Sequence, residues 1–190
     1  METINLSTTE ASVLGLVAFG ERSGYDLARD AERSVAYIWT PSRSQIYKVL
    51  PRLVTARLAA SREVAQKGRP DKSLYSITPL GTRMLRAWLD EVDEEPVGGG
   101  VVFVLKLFFC DFATEETALA QLAAYRRFLE RRLTSYEALN RDSGEPEFLY
   151  PQYTLQHGLT RVRATLAWID MTVAAITSNS RRPLQRNPTE

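Results

Sequence analysis

Between Thr40 and Lys72 the chain carries eight basic residues and two acidic ones, in a protein of 190 residues whose net charge is +1. Charge gathered on one segment of a near-neutral chain must be displayed on an exposed side of that segment. It favours a polyanionic partner that docks at one place. The residue pattern inside the segment predicts its form. Pro41 after Thr40 suits a first helical turn, and Ser42 with Gln45 offers a competing capping box one step later. Behind them Ile46, Val49, Leu50, Leu53 and Val54 follow the i, i+3, i+4, i+7, i+8 rule and make one apolar stripe. Arg43, Ser44, Tyr47, Lys48 and Arg52 lie off that stripe, where side chains can reach phosphates and base edges while the opposite face holds a core. Leu58–Ala65 and Lys72–Thr78 read as two short strands around the turn QKGRPD, punctuated by Gly68 and Pro70, with Lys67, Arg69 and Lys72 at its tip.

The segments on either side complete a recognisable order. Ser7 and Glu10 form a capping box ahead of the almost wholly apolar run ASVLGLVAF, a buried central helix that Gly20 ends. Ser23 and Asp26 open a second helix with Leu27, Ala28 and Ala31 inside, and Val35–Trp39 lead out of it. Thr78-Pro79 cap a fourth helix, with Leu80, Met84, Leu85, Trp88 and Leu89 inward. Helix, helix, helix, strand, wing, strand, helix is a winged helix-turn-helix. Five acids over residues 90–95 and the glycines 98–100 then shift the composition sharply. The expected organisation is a winged domain over 1–95, a linker over 96–100, a helical domain over 101–178 and a flexible tail over 179–190. The fold class is mainly α.

In the second half VFVLKLFFCDF is short and very apolar, and Ala113 to Asn140 reads as one long helix. The last helix repeats apolar residues at alternating four- and three-residue spacings: Leu155, Leu159, Val162, Leu166, Ile169, Val173 and Ile176. That is the seam of a coiled coil, and a second copy of the chain is the economical partner to cover it.

Chemistry other than binding finds little support. Cys110 is the single cysteine and His157 the single histidine, so no metal cluster at zinc spacing, cofactor site or internal disulfide is expected. No GxSxG elbow occurs, and the three-glycine run lacks the Lys-Ser/Thr of a phosphate loop. An enzyme is not expected. METINLSTTE has no basic region followed by an apolar one, and no run approaches a membrane span. A reducing, cytoplasmic location is therefore expected, with Cys110 as a buried structural thiol.

SGYDLA, SRSQIYKVLPRL, GRPDKSLYSITPLG and RAWLDE together resemble the PadR family of bacterial transcriptional regulators, closely over Ser12–Glu91. KLFF, the long helix and HGLTRVRATLAWID look like the helical dimerisation domain of the subgroup with a virulence-activator-like C-terminus. The resemblance implies a homodimer on a pseudo-palindromic operator, commonly a repressor and often released by a small, frequently aromatic, effector. It implies DNA contacts from Ser42, Ser44, Gln45, Tyr47 and Lys48 on the helix and from Lys67, Gly68 and Arg69 on the wing. Charge and position add Arg43, Arg52 and Lys72. Trp39, Trp88 and Trp168 are the candidates for an effector pocket, with plain packing the favoured role for Trp88 and Trp168. Two departures stand out. Relatives usually carry Gly where this chain has Arg57, so Arg57 must turn left-handed at a cost or the helix must end differently. Pro51 inside the helix predicts a kink. Two other readings stay open: a winged-helix module that binds proteins without DNA, and a DNA-binding regulator with no ligand.

Overall fold

The computed structural model describes residues 6–34, 41–65, 72–96, 100–142 and 149–179. They form seven α-helices and three short strands: α1 (Thr8–Ala18), β1 (Arg22–Ser23), α2 (Gly24–Ser34), α3 (Arg43–Thr55), β2 (Ala59–Val64), β3 (Lys72–Ile77), α4 (Pro79–Asp90), α5 (Val101–Phe108), α6 (Glu115–Asp142) and α7 (Leu149–Asn179), with a 3-10 turn at Cys110–Phe112 between α5 and α6. The chain divides into two compact units, Met1–Val92 with Pro96–Ala118, and Asp93–Glu95 with Leu119–Glu190.

The first unit is the expected winged helix-turn-helix with an addition. Its axis is α1, capped by Ser7 and Glu10 in the reciprocal box and buried from Ala11 to Val17. Leu27, Ile46, Leu50, Leu53, Leu58, Leu85 and Leu89 from the other elements close around it. Each such side chain taken out of water contributes on the order of 1.5–3 kcal/mol. β3 is the middle strand of an antiparallel sheet ordered β1-β3-β2, with Ser61 opposite Tyr75 on one side and Arg22 opposite Tyr75 on the other. The two-residue β1 has no period of its own to read, so the sequence pattern passes over it. Ser23 still caps α2, accepting from the N–H of Asp26 at 3.2 Å.

The addition is α5 and the turn after it. Composition places a domain boundary at 96–100, but Leu105 and Phe109 lie fully buried in the same cluster as α1, α3 and α4. The reason is fit: a methyl added at Gly15 on α1 would come within 2.6 Å of the Phe109 ring, so glycine makes the slot that α5 needs. Lys106, the charge that interrupts the run, is itself buried. Its ammonium donates to the carbonyl of Glu91, the residue capping the end of α4, and sits 5.0 Å from the centre of the Trp88 ring.

In the second unit α6 and α7 run antiparallel, tied by Arg163 to Glu137 at 2.8 Å, Gln156 to Asn140 at 2.9 Å, and Arg126 to Asp170. Two of the acids just before the expected linker have partners here: Glu94 accepts from Arg127 at 2.6 Å, and Glu95 from Arg131. Residues 97–99 of the expected linker and 180–190 of the expected tail lie outside the described residues. No helix among the described residues is long and apolar enough to cross a membrane.

Candidate nucleic-acid interface

Of the two helix starts the sequence offers, Ser42 is the one used. Its hydroxyl accepts from the Gln45 N–H at 3.2 Å, and Gln45 Oε1 accepts from the Ser42 N–H at 2.8 Å. Ser42 and Gln45, expected as DNA contacts, thus have structural work holding the first turn of α3. Beyond the cap, Ile46, Val49, Leu50 and Leu53 are buried, while Arg43, Ser44, Tyr47, Lys48 and Arg52 are exposed. The Tyr47 ring covers Gly24 at the start of α2, where an added methyl would meet it at 2.8 Å. It remains half exposed, at 53%. It therefore packs and faces outward at once.

The helix runs through Pro51 without a break and ends at Thr55. Arg57 takes the left-handed option, with φ 59°. The Leu58 N–H reaches back to the Leu53 carbonyl at 2.8 Å and the Arg57 N–H to the Val54 carbonyl at 2.9 Å. This is a Schellman turn built on arginine instead of glycine, its apolar closure made by buried Leu58 and Leu53.

The basic residues divide into two groups. Arg43 Nε and Nη2 donate to the two Glu32 oxygens at 3.0 and 3.3 Å. Arg62 makes the same two-pronged contact with Glu21 at 2.7 and 2.5 Å. Lys72 donates to Asp26 at 2.9 Å. Lys72, expected among the DNA contacts, is therefore engaged from α2. These bonds hold the carboxyls of Glu21 and Glu32 below the ordinary carboxylate range. The Asp26 carboxyl falls to about 2, through hydrogen bonds from Ser23 first and Lys72 second. Lys48, Arg52 and Arg57 have no carboxylate partner among the described residues. Lys67, Gly68 and Arg69 lie outside the described residues, and so does Trp39.

Trp88 is part of the first unit's core, and Trp168 is a half-buried residue of α7. A cleft of about 330 Å³ exists elsewhere, lined by Leu16, Phe19, Arg22, Asp30, Arg33 and Phe108. Its residues come from α1, β1, α2 and α5, a constellation no linear motif announces. Phe19 is 48% exposed there and stands at a tilt or edge-on to Phe108, Phe109 and Phe112. Cys110 is half-buried, and burial together with Asp111 and Asp90 pushes its thiol up to about 11, so it is not a ready nucleophile. No cluster of three metal-ligating side chains occurs among the described residues.

The heptad seam also has a partner within the chain. Leu159, Val162 and Ile169 are buried at 3%, 3% and 0% exposure in the single chain, while Leu155, Leu166, Val173 and Ile176 are half-buried. The seam expected to face a second copy is thus occupied, at its buried positions, inside the chain. A different stripe of α7 is open to solvent. Tyr150, Tyr153, His157, Thr160, Ala164, Ala167, Met171 and Ala174 alternate three- and four-residue spacings, carry no carboxylate, lysine or arginine, and are all exposed. The sequence contains this second period, but smaller residues mask it.

Known proteins are similar to this chain in sequence. A family model described as the transcriptional regulator PadR-like family matches residues 13–87, and one described as virulence activator alpha C-term matches residues 102–177. The chain is 27% identical over 169 residues to the probable transcriptional regulator Rv1176c of Mycobacterium tuberculosis, covering 81% of this chain and 89% of that protein. It is 27% identical over 175 residues to the negative transcriptional regulator PadR of Bacillus subtilis, covering 87% and 95%. A crystal structure of Bacillus subtilis PadR in complex with operator DNA aligns with a TM-score of 0.47 at 23% identity, over 90% of this chain and 99% of that one. A capped helix, a paired strand behind it and two adjoining family matches lead to one assignment: residues 13–87 form a PadR-like transcriptional regulator domain, followed over residues 102–177 by a virulence activator alpha C-terminal domain.

Proposed function

We propose that the protein acts as a homodimeric repressor on a pseudo-palindromic operator in the bacterial cytoplasm, and that a small effector relieves it. The observation that carries the reading is the outward face of α3. Ser44, Tyr47, Lys48 and Arg52 stand exposed on one side, while the apolar stripe fixes the other in the core. In this geometry α3 enters a major groove, Lys48 and Arg52 meet phosphates, and Lys67, Gly68 and Arg69 grip the neighbouring backbone. The homodimer is supported by the exposed uncharged stripe of α7, a surface a second copy can cover by the same stripe. The effector is supported by the cleft, whose size falls at the low end for small-molecule sites. Phe19 and Phe108 suit a flat apolar body, and Arg33 suits an anionic group on it, while Arg22 is paired with Asp30 at 3.4 Å.

Gel shifts of fragments upstream of the protein's own coding sequence, run across a salt series, test the reading. Retarded fragments whose affinity falls steeply with salt support it. No salt-dependent shift on any fragment favours the protein-binding module instead. Titration of flat anionic compounds, followed by tryptophan fluorescence and release of the fragment, tests the effector. No response across a broad panel leaves a regulator without a ligand.

A further inference from the structure

The contact between Glu32 and Arg43 has a chemical consequence for base reading. Arg43 is the first residue of α3, immediately after the cap, at the end of the helix that a major-groove reader inserts. Its guanidinium carries five N–H donors on two usable edges. Glu32, on α2, accepts from Nε at 3.0 Å and from Nη2 at 3.3 Å, which occupies the side edge. The end edge, formed by Nη1 and the second hydrogen of Nη2, is left. Both residues are largely exposed, at 60% and 48% of their side-chain surface, so the pair contributes little to stability. Its effect is on direction and charge. The carboxylate fixes the plane of the guanidinium and cancels the charge that would otherwise attract any phosphate.

The neighbouring pairs sharpen the point. Arg62 and Lys72 are held in the same way by Glu21 and Asp26, whereas Lys48 and Arg52 further along α3 are not. The unit thus separates cations that attract the backbone indiscriminately from a cation whose charge is already balanced. A neutralised, oriented arginine is suited to a pair of acceptors in one plane, and the O6 and N7 atoms of guanine form such a pair in the major groove.

We propose that Glu32 is a positioning residue for base recognition: it holds Arg43 so that its end edge reads one guanine per half-site. The proposal rests on the DNA-binding reading above. It is tested by selecting bound sequences from a random duplex library with wild type, Glu32→Gln, Arg43→Ala and the double variant. Affinities for the selected site and for random duplex are then measured across a salt series. Wild type should select a guanine at one position that Arg43→Ala no longer selects. Glu32→Gln should lower discrimination at that same position about tenfold. It should also bind random duplex more tightly, with a salt slope steeper by about 0.9, because the released guanidinium now meets a phosphate. In the Arg43→Ala background Glu32→Gln should change nothing further. A Glu32→Gln protein that keeps the wild-type preference, while Arg43→Ala loses it, overturns the role of Glu32 and leaves DNA binding standing. A uniform loss over all positions, with a matching fall on random duplex, also overturns it. If wild type selects no sequence at all, the DNA-binding reading itself fails.

Discussion

The hydroxyl of Thr78 donates to the carbonyl of Arg57 at 2.7 Å and accepts from the N–H of Gly81 at 3.0 Å. One side chain therefore caps α4 and fastens the left-handed residue that turns the chain from α3 into β2. Gly81 is required beside it, because a methyl there would lie 2.0 Å from the Leu58 carbonyl oxygen.

This junction gives the first prediction. Arg57→Gly removes the left-handed penalty and should raise stability by about 1 kcal/mol in urea unfolding. Gly81→Ala should lower it by about 2–3 kcal/mol, because backbone and not a flexible side chain must move. An Arg57→Gly protein less stable than wild type would mean that the arginine side chain has a stabilising contact outweighing its strain.

A second prediction concerns acid. The Asp26 carboxylate faces Ser23, Lys72 and Arg29, the last at 3.5 Å, and its folded pKa is about 2. Since that lies below the unfolded value of about 3.9, its stabilisation is present above the unfolded value and lost as pH falls through the folded one. Asp26→Asn should cost on the order of 1 kcal/mol at neutral pH after allowance for solvent screening, and the difference from wild type should shrink as pH falls from about 4 toward 2 and be gone once it is below the folded value. Urea midpoints of both proteins across that range measure it.

A third prediction follows from the uncompensated cations. Lys48→Ala and Arg52→Ala should each weaken binding by a similar factor on every sequence and reduce the salt slope by about 0.9. Binding isotherms on a selected site and on random duplex at several salt concentrations check this. A loss confined to one base position would make either residue a base reader.

A fourth prediction separates the two stripes of α7. Ile169→Ala empties a fully buried position and should cost about 2–5 kcal/mol in unfolding. Ala167→Glu lies on the exposed stripe and should leave helix content intact while yielding monomers in sedimentation. A dimer that survives Ala167→Glu would place the partner surface elsewhere.

Much of the fold was legible because it is local. The boxes at Ser7–Glu10 and Ser42–Gln45, the stripe from Ile46 to Leu53 and the cap at Thr78 are fixed by residues three or four apart. Arg57 was legible as a dilemma, and the structure takes its costlier branch because Leu58 is buried on completing the turn. What the sequence hid is long-range. Gly15 meets Phe109 across 94 positions, so α5 joins the first unit although glycines and acids precede it. The α7 seam looked unpartnered because nothing local shows that α6 folds back along it. The cleft and the Glu32–Arg43 contact likewise join residues whose pairing has no period.

Selection of bound fragments from a random duplex library with wild-type protein shows whether α3 reads DNA from a paired protein. The expected result is an enriched inverted repeat whose half-site centres lie one helical turn or a multiple apart, about 10 base pairs per turn. Affinity for it should fall steeply with salt and lose part of that slope in Lys48→Ala. No enriched sequence, or enrichment unaffected by Lys48→Ala, Arg43→Ala and Arg52→Ala alike, would contradict it.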